Sequence, residues 1–550
     1  MGGQTPNQSA RIAELLAQPP QQRRRIFEPA PAPGLSDGDF HLIARRGFGD
    51  GHNSFAHSMA WFEGRLFVGT TRSNFQMVKV QKGFEGLPVE VWPVAGPDDV
   101  EGLYRLDRQA EIWRFDPSFG RWQRVFKAPL VPARADSGLP AERRGLVARE
   151  TGYRAMHVFQ GRSDPKPALY LASWATSLAP GACIVRSLDG ERFDRVSPFG
   201  IMEGLEITAS RLLVPFKGRL FSAAQGVRGY AKRFAINSGA VPRVFETDDP
   251  ASGHWWNASE DAFGDSTNQG IFALHPLGEQ LYAATFNNEG FQLWRSDCEG
   301  RPPYRWTQVL ARGGDRGPTN QAVASMCAFN GALYLGTGIQ NGGNDQVNQI
   351  GPAGSELIRV WPDDSWDLLV GDVRDTGAGR KRPLSGLRAG FGNLFNGYFW
   401  SMTVHDGWLY VGTMDSTVWL RWLDQNAYAP ATRKLLDGVG VETILELDGG
   451  CDLWRSADGE NFIPVTRNGF GNLYNLGFRN LVSTPFGLAA AAANPFGPQV
   501  AARDGAGRWQ YAANPRGGLE IWLGTRRFGQ DFSEGVQDPG LDSGLGAGLG

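Results

Sequence analysis

The sequence predicts an all-β fold in which one four-stranded unit recurs about seven times, and three observations support this prediction. Similar text returns at intervals of tens of residues over most of the 550 residues. Each copy contains short runs rich in β-branched and aromatic residues, and turn sequences such as Asp-Gly separate these runs. One such unit cannot bury both of its faces, so repeated units must pack side by side. The predicted fold is therefore a seven-bladed β-propeller of four-stranded antiparallel blades.

The sixth copy, residues 390–465, shows the pattern most clearly. Two β-rich runs at residues 399–404 and 409–413 are separated by Asp406-Gly407. Two more runs, at residues 451–456 and 462–465, are separated by Asp458-Gly459, because glycine reaches the positive φ that a tight turn requires. The copy therefore predicts two consecutive hairpins, which together form one blade.

The other copies follow in chain order and begin near residues 47, 153, 204, 267, 319 and 469. The third copy, residues 204–258, is the most degenerate, and its later strands are not defined by the pattern. A misreading of that copy would change the count of blades to six or eight. The last copy ends near Trp522.

These repeats set the expected domain boundaries. A single β-propeller is expected over residues 37–525. Residues 1–36 are rich in Pro and Arg and are expected to form a flexible N-terminal arm. Residues 526–550 end in Gly-rich text and are expected to form a flexible tail.

Composition limits the partners of the chain. Lys and Arg number 55 against 57 Asp and Glu, so no strong overall field would attract nucleic acid. No run of about 18 apolar residues and no signal-like N-terminal segment occurs, which predicts neither a membrane span nor export. The four cysteines lack Cys-x-x-Cys spacing, which argues against disulfides and thiolate metal sites. We therefore expect a cytoplasmic protein without a nucleic-acid partner.

Chain direction locates the working face of the predicted propeller. The connections between strands 2 and 3, and between successive blades, lie at one end, and all long segments of this sequence fall in them. Binding sites usually lie on such loops. Any single residue that leaves strand 2 toward this end could simply build a turn, but the combination of Arg, Trp and Asp favours a site. The residues in this ring are Arg72, Trp174, Gln225, Asn287, Gln340, Asp415 and Asn494.

A repeated asparagine at the start of strand 1 is interpreted as structural. Its amide is expected to bond loop backbone groups, and a structural calcium or magnesium ion is the alternative. The set comprises Asn53, Asn268, Asn320, Asn396 and Asn475.

A second structural motif is the Ser-x-Asp-Gly text at residues 187–190 and 456–459. It resembles the Asp-box turn of sialidase-like propellers, in which the aspartate caps its own hairpin. Chain direction places it at the end opposite to the working face. Neither Asp189 nor Asp458 is therefore assigned to catalysis.

A metal site on the axis is an alternative, because some seven-bladed propellers that cleave alkenes bind iron there with four histidines. The candidates precede the Leu-aromatic pair of their blade by 9, 12, 6 and 4 residues, which spreads them over more than about 10 Å. One metal ion cannot collect them, so no metal site and no required cofactor are predicted. The four are His57, His157, His275 and His405.

Three stretches carry a resemblance to a known family: SMAWFEGRLFVGTTR at residues 58–72, the GFGN-L-[FY]-N links at 390–396 and 469–475, and AANPFGP at 492–498. With them, residues 45–525 resemble a bacterial family of seven-bladed propellers that includes the cylindrocyclophane-forming alkylating enzyme and its bartoloside-modifying relatives. The resemblance implies that an alkyl halide is joined to a phenolic carbon or to a carboxylate. The chain lacks the family's Gly-Gly-x-Gly-x-Asp calcium repeats, which puts a calcium-binding appendage in doubt.

The resemblance also implies roles for individual residues. Arg72 and Tyr474 would donate hydrogen bonds to the departing halide, and Asp415 or Glu442 would accept the phenolic proton. A dry cup would hold the alkyl chain and exclude water. For Trp400 and Trp419, packing between blades is the alternative. The expected substrate-binding residues are Trp174, Phe395, Trp400, Met414, Trp419 and Asn494.

The leading hypothesis is thus an alkylating enzyme that acts on a small hydrophobic molecule. A glycan-binding or glycan-cleaving propeller is the first alternative, although a glycosidase needs two facing carboxylates and the ring plainly supplies only Asp415. A non-catalytic interaction scaffold is the second.

Overall fold

The computed structural model describes residues 32–81, 88–136, 144–202, 205–227, 242–345, 348–427 and 430–526. The predicted N-terminal arm and C-terminal tail therefore lie almost entirely outside the described residues. No helix in the described part of the chain is long and apolar enough to cross a bilayer.

Antiparallel pairing groups most strands into four-stranded units, which confirms the predicted all-β propeller class. Strand 1 of each unit is innermost and contacts strand 1 of the next unit. The first half of the chain contains β1 (Phe40–Ala44); β2 (Asn53–Phe62), β3 (Arg65–Arg72), β4 (Glu111–Asp116) and β5 (Arg121–Lys127) of blade 1; β6 (Leu130–Pro132) and β7 (Leu146–Ala148) of a side hairpin; β8 (Gly152–Phe159), β9 (Ala168–Trp174), β10 (Ile184–Ser187) and β11 (Asp194–Arg195) of blade 2; and β12 (Ile207–Ser210), β13 (Val214–Phe216), β14 (Arg219–Val227), β15 (Val244–Thr247) and β16 (Trp256–Asn257) of blade 3.

The second half completes the array. It contains β17 (Asn268–Leu277), β18 (Gln280–Asn287), β19 (Leu293–Ser296) and β20 (Thr307–Leu310) of blade 4; β21 (Ala322–Phe329), β22 (Ala332–Gly338), β23 (Leu357–Val360) and β24 (Trp366–Val370) of blade 5; the side hairpin β25 (Arg374–Thr376) and β26 (Gly379–Lys381); β27 (Asn396–His405), β28 (Trp408–Asp415), β29 (Leu453–Ser456) and β30 (Ile463–Thr466) of blade 6; and β31 (Gly477–Thr484), β32 (Gly487–Ala493), the side hairpin β33 (Gln499–Arg503) and β34 (Trp509–Ala513), and β35 (Ile521–Gly524) of blade 7.

The two ends of the described chain meet in blade 7. Strand β1 pairs antiparallel with β35, with Phe40 opposite Gly524 and Leu42 opposite Trp522. Strand β1 is therefore the outermost strand of a blade whose other strands come from residues 477–524. The repeats alone did not predict this strand, because they place the seventh copy entirely after residue 469.

Adjacent blades are tied together along their innermost strands. The hydroxyl of Ser58 in blade 1 donates to the carbonyl of Tyr153 in blade 2 at 2.7 Å. The same serine position in blade 6 repeats the contact, where Ser401 donates to the carbonyl of Phe478 at 2.6 Å. The first and last blades also meet, through a bridge between Phe55 and Ala493. The array is therefore closed.

The asparagine at the start of strand 1 bonds the preceding loop, as predicted. In blade 6, Nδ2 of Asn396 donates to the carbonyl of Gly390 at 3.0 Å and to Oδ2 of Asp452 at 2.9 Å. The indole N–H of Trp454 donates to the same oxygen. The acidic partner at the start of strand 3 was not predicted. Equivalent pairs are Asn53 with Glu111, Asn320 with Glu356 and Asn475 with Glu520, and in blade 4 Gln292 replaces the acid opposite Asn268.

Replacing Asp452 with asparagine should remove part of the pH dependence of stability. Burial raises the pKa of Asp452 to about 6, above its unfolded value of about 3.9. The folded state therefore binds this proton more tightly, so the stabilisation is present below about pH 4 and is lost as the pH rises through about 6. Urea denaturation at pH 4 and pH 7 should show a wild-type loss on the order of 2 kcal/mol that the variant lacks.

Asp458→Asn is the matched control for this effect. Asp458 is partly buried, but the N–H groups of Glu460 and Asn461 more than offset that burial and lower its pKa. Its stabilisation is lost as the pH falls, which is the opposite sign. Parallel pH profiles for wild type and Asp452→Asn would contradict the prediction.

The predicted Asp-box turns are confirmed as structural. Oδ1 of Asp189 accepts hydrogen bonds from the backbone N–H groups of Glu191 and Arg192 at 2.8 and 2.9 Å. Asp458 makes the same pair of bonds in blade 6. Both aspartates thus cap their own turns at the lower end, where the turns between strands 3 and 4 lie.

Two long inserts at the upper end, described over residues 73–81 and 88–110 and over residues 416–427 and 430–450, pack on each other and form a cap. The backbone N–H of Glu90 donates to the carbonyl of Trp422 at 2.8 Å, and that of Asp424 to the carbonyl of Pro88 at 2.7 Å. An apolar cluster joins the cap to blades 6 and 7 around the fully buried Trp422. The cap helices are α1 (Asn74–Val80), α2 (Val100–Arg105), α3 (Pro430–Val439) and α4 (Val441–Asp448).

Candidate functional site

One register position on the innermost strands forms a ring around the propeller axis. In each blade this residue lies two positions before a methionine or leucine, as His57 does before Met59 in blade 1. All seven ring residues line a cavity on the axis. We call this set the axial ring; in blade order it comprises His57, Arg154, Arg211, Phe272, Ala324, Trp400 and Arg479.

Cavities lie on both sides of the axial ring. The upper cavity, of about 110 Å³, lies between the ring and helix α1 of the cap and is lined mainly by apolar side chains. The lower chamber, of about 250 Å³, extends toward the lower end of the propeller. Its wall includes a collar of methionine and leucine two residues after each ring position: Met59, Met156, Leu213, Leu274, Met326, Met402 and Leu481.

The axial ring has a cationic side and an apolar side. Arg479, His57, Arg154 and Arg211 come from four consecutive blades, 7, 1, 2 and 3. The apolar side consists of Phe272, Ala324 and Trp400 from blades 4, 5 and 6. Within the described lining of both cavities there is no aspartate or glutamate. The charges on the ring are therefore not balanced by a carboxylate on the cavity walls.

The three arginines contact aromatic rings instead of acids. The guanidinium carbon of Arg154 lies 5.2 Å from the ring centre of Trp174, and that of Arg211 lies 3.9 Å from Phe272. Arg479 lies 5.3 Å from Trp400. Among the described residues none of the three arginines has a hydrogen-bond acceptor or an ion-pair partner, so their N–H donors remain available to a ligand.

Burial and mutual repulsion destabilise the charged forms of these side chains. Burial, and then the like charge of Arg211, lower the pKa of Arg479 to about 9. Burial lowers the pKa of Arg211 to about 10. The pKa of Arg154 is also lowered well below its ordinary value, by burial and then by Arg211. All three stay protonated at neutral pH, so the cavity holds three positive charges that an anion would neutralise.

His57 and Tyr398 complete the polar lining of the upper cavity. Nδ1 of His57 lies 2.5 Å from Oγ1 of Thr71. Burial, and then the charge of Arg479, lower the pKa of His57 well below 6.5, so its imidazole is neutral at pH 7. Burial raises the pKa of Tyr398 to about 12, so its hydroxyl keeps the proton and can donate to a ligand.

Arg72, the predicted halide-binding cation, is fully buried away from the axial cavities. Its guanidinium lies 2.6 Å from Asp50, 3.4 Å from Asp107 and 3.7 Å from Glu111, and it donates to Oδ1 of Asn53 at 3.1 Å. These partners occupy its donors. The position therefore ties the loops of blade 1 together.

Tyr474 and Glu442 meet at a third residue, Arg421, in the cap. Arg421 donates to Oε2 of Glu442 at 2.8 Å and to the hydroxyl of Tyr474 at 3.5 Å. Glu442 is mostly exposed. No contact in the described part of the chain brings either residue to Arg72, so the structure does not assemble the set that the resemblance implied.

Asp415, the other predicted carboxylate, is fully buried and bonded. Oδ2 accepts from Nδ2 of Asn393 at 3.0 Å and from the hydroxyl of Thr417 at 2.8 Å. Burial, which outweighs these bonds, raises the pKa of Asp415 well above 3.8. Asp415 thus caps the turn after strand 2 and does not line either axial cavity.

The predicted substrate-binding residues divide into two groups. Trp174, Trp400 and Met414 line the upper cavity. Trp419 is buried in the cap against Phe75, at 5.1 Å between ring centres. The remaining two lie outside the cavity wall: Phe395 packs against the cap cluster, and Asn494 bonds Asn475 and the carbonyl of Arg516.

Sequence reasoning missed the three axial arginines and Tyr398. A signal was present, because Arg154 and Arg479 interrupt otherwise apolar inner-strand text, YRAM and FRNL. Arg211 could not be aligned with them, because it falls in the gap between β12 and β13 of the degenerate third copy.

No protein-family model matches the chain, and no curated protein matches it either. Solved structures similar to it include virginiamycin B lyase from Staphylococcus aureus, at 8% identity, TM-score 0.40, and coverage of 88% of this chain and 98% of that one. A putative 6-phosphogluconolactonase from Bacteroides fragilis gives 11% identity, TM-score 0.35, and coverage of 76% and 95%. A putative exo-β-1,3-galactanase from Bifidobacterium bifidum gives 10% identity, TM-score 0.28, and coverage of 47% and 81%. Likenesses this distant assign neither a family nor an activity to the chain.

Proposed function

We propose that the chain binds a small, multiply charged organic anion on the propeller axis. Its charged group lies among Arg154, Arg211 and Arg479, and its apolar part lies against the aromatic side of the axial ring and the upper cavity. One observation carries the proposal: three arginines from three blades converge at one level with no carboxylate partner among the described residues.

The number of arginines favours a ligand with more than one negative charge. Isolated buried charges are costly, and arginines kept in an interior are normally paired with an acid. A monoanion would leave two of the three charges unneutralised. A phosphate monoester or a dicarboxylate offers several acceptor oxygens to guanidiniums that approach from different blades.

The shape of the site favours an aryl or branched apolar group on the anion. Trp174, Tyr398 and Trp400 surround the upper cavity, and Phe75 of helix α1 closes it from above. Such side chains bind apolar groups and exclude water, which strengthens the electrostatic contacts beside them.

The two chemical hypotheses from the sequence gain no support at this position. Alkylation was assigned to Arg72, Tyr474 and a carboxylate, which lie in separate contacts, and it stays a prediction. Glycan cleavage requires two facing carboxylates, and the described walls of the axial cavities carry none. It also stays a prediction.

Calorimetric titration with four probes tests the proposal. Phenyl phosphate should bind at one site per chain, more tightly than benzoate because of its charge and more tightly than inorganic phosphate because of its ring. Benzyl alcohol, which is neutral, should not bind. Arg154→Gln should weaken phenyl phosphate binding by about 10- to 100-fold, as expected for one lost charged hydrogen-bond donor.

The matched control is Arg380→Gln, which removes an exposed arginine paired with Asp375 outside the axial cavities. Its affinity for phenyl phosphate should equal that of the wild type. Absence of binding by every anionic probe, or equal affinity in both variants, would refute the proposal.

A further inference from the structure

We infer that a ligand reaches the axial arginines from the lower end of the propeller, through the lower chamber and past Ala324, which limits the size of what can pass. The identity of the ligand rests on the proposed function. The route itself rests on accessibility along the axis and can be tested without a ligand.

The innermost strands are buried two residues above the axial ring and accessible four residues below it. The residue two positions above the axial ring is buried on every innermost strand; these residues are Phe55, Gly152, Ala209, Gly270, Ala322, Tyr398 and Gly477. Four residues below the ring, every strand keeps solvent-accessible surface; these positions are Trp61, Val158, Pro215, Pro276, Ala328, Val404 and Ser483. The seven collar residues between this level and the ring are themselves buried, so solvent reaches the lower ends of the strands and a ligand must displace collar side chains to reach the ring from below.

The roof of the upper cavity is closed by packed aromatic side chains. Phe75 of α1 is 3% exposed and lies 5.1 Å from Trp419 and 5.2 Å from Phe496, between ring centres. Val78 and Leu476, which also line the cavity, are 4% and 2% exposed. Access from above would require these groups to separate, at the cost of burying less apolar surface.

Ala324 provides the opening in the axial ring. It has the smallest side chain of the seven and lies between the bulky Phe272 and Trp400 of the adjacent blades. It lines both cavities, as every ring residue except His57 does, and both Ala324 and the following Ser325 are partly accessible. A ligand that moves from the lower chamber to the upper cavity would pass on this side, opposite the arginines.

The collar below the ring suits such a passage. Its four methionines are unbranched and flexible, so they can move aside for an apolar group of variable shape. The charged group of a ligand that follows would then meet the arginines. The collar and Ala324 together make size, and not only charge, a criterion for binding.

Cysteine labelling measures the route directly. Met414→Cys places a thiol in the upper cavity, and Met402→Cys places one in the lower chamber. The reagent is methyl methanethiosulfonate, which is neutral, so the arginines do not bias its approach. Ala324→Trp should slow labelling of Met414→Cys by about 10-fold or more and leave labelling of Met402→Cys unchanged. Mass spectrometry of the intact chain gives both rates.

Labelling of the native cysteines should be slow, and the size of residue 324 can be varied in steps. All four native cysteines are buried, and burial raises the pKa of Cys298 and of Cys327 to about 12, which leaves little reactive thiolate. Ala324→Ser is the matched control, with the expected wild-type rates. Ala324→Leu should give an intermediate rate, so the size series remains informative if the tryptophan variant does not fold.

The outcomes separate this inference from the proposed function. Equal labelling of Met414→Cys in the serine, leucine and tryptophan backgrounds would show access through the cap and would overturn the route. Because no anion is present, such a result leaves the calorimetric test untouched. Conversely, phenyl phosphate that fails to bind, together with size-dependent labelling, would refute the anion site and leave the route intact.

Discussion

Replacing Arg479 with methionine should raise the free energy of unfolding by about 1–2 kcal/mol and reduce phenyl phosphate binding by at least 10-fold. Arg479 lies in the interior beside two like charges and has no acid partner among the described residues. Methionine has a similar length and can pack against Trp400 without a charge. The expected stabilisation is at the low end of the usual range because Arg479 is partly accessible and lines the lower chamber.

Urea denaturation at low ionic strength, without added anions, measures this stabilisation. Phenyl phosphate at 100 times its wild-type dissociation constant should then stabilise the wild type by about 2.7 kcal/mol, through preferential binding to the folded state, and the variant by at most about 1.4 kcal/mol. Opposite responses to mutation and to ligand are expected only where stability has been given up for binding.

Arg359→Met is the contrasting control. Arg359 is also buried, at 1% exposure, but its guanidinium lies 2.7 Å from Asp367 and 2.8 Å from Glu460. Its removal leaves two carboxylates without their cation and should cost about 3–5 kcal/mol. A similar loss in Arg479→Met would mean that Arg479 is a structural residue, and would contradict its role in the anion site.

The second large effect on stability is expected at strand β1, which closes the propeller by joining blade 7. Ile43→Ala should lower the free energy of unfolding by about 2–4 kcal/mol. Ile43 of β1 is 3% exposed, in a cluster that includes Ile521 and Leu523 of blade 7 and Val68 of blade 1. Because β1 joins blade 7 to the start of the chain, its loss exposes apolar surface on both of these blades.

His41→Ala is the control for the closure. His41 lies in the same strand but is partly exposed, so its truncation should change stability by less than about 0.5 kcal/mol. Thermal or urea denaturation of the two variants distinguishes the effects. Equal stability of Ile43→Ala and wild type would show that β1 does not hold the array closed.

Much of the fold could be predicted from local sequence, because turns and strand runs are local features. Asp406-Gly407 marks a hairpin whatever surrounds it, and the repeated asparagines predict bonded loops. Strand β1 could not be predicted, because its partner β35 lies almost 480 residues away and a single strand has no repeated text of its own.

The candidate site was harder to predict, because it depends on register and on long-range contacts. Arg72 stands at a conspicuous motif, but two acids from separate loops and one from the start of β4 surround it, and no local pattern links Asp50, Asp107 and Glu111 to it. Arg154, Arg211 and Arg479 become equivalent only when the strands are aligned around the axis. A comparison of inner-strand positions across all blades would have found two of them.

The axial ring differs in two perpendicular directions. Around the ring, the side formed by blades 7, 1, 2 and 3 is cationic and the side formed by blades 4, 5 and 6 is apolar. Along the axis, the roof above the ring is closed by packed side chains, and the lower ends of the strands are accessible to solvent. Unlike groups also face each other across the ring: a plane through the axis and Ala324 has Phe272 on one side where Trp400 lies on the other, and Arg154 where His57 lies. One enantiomer of a chiral ligand can therefore make contacts with the ring that the other enantiomer cannot make. The backbone nearly repeats by rotation about the axis, and the unequal order of the ring side chains is what gives a bound ligand one preferred handedness and one preferred orientation.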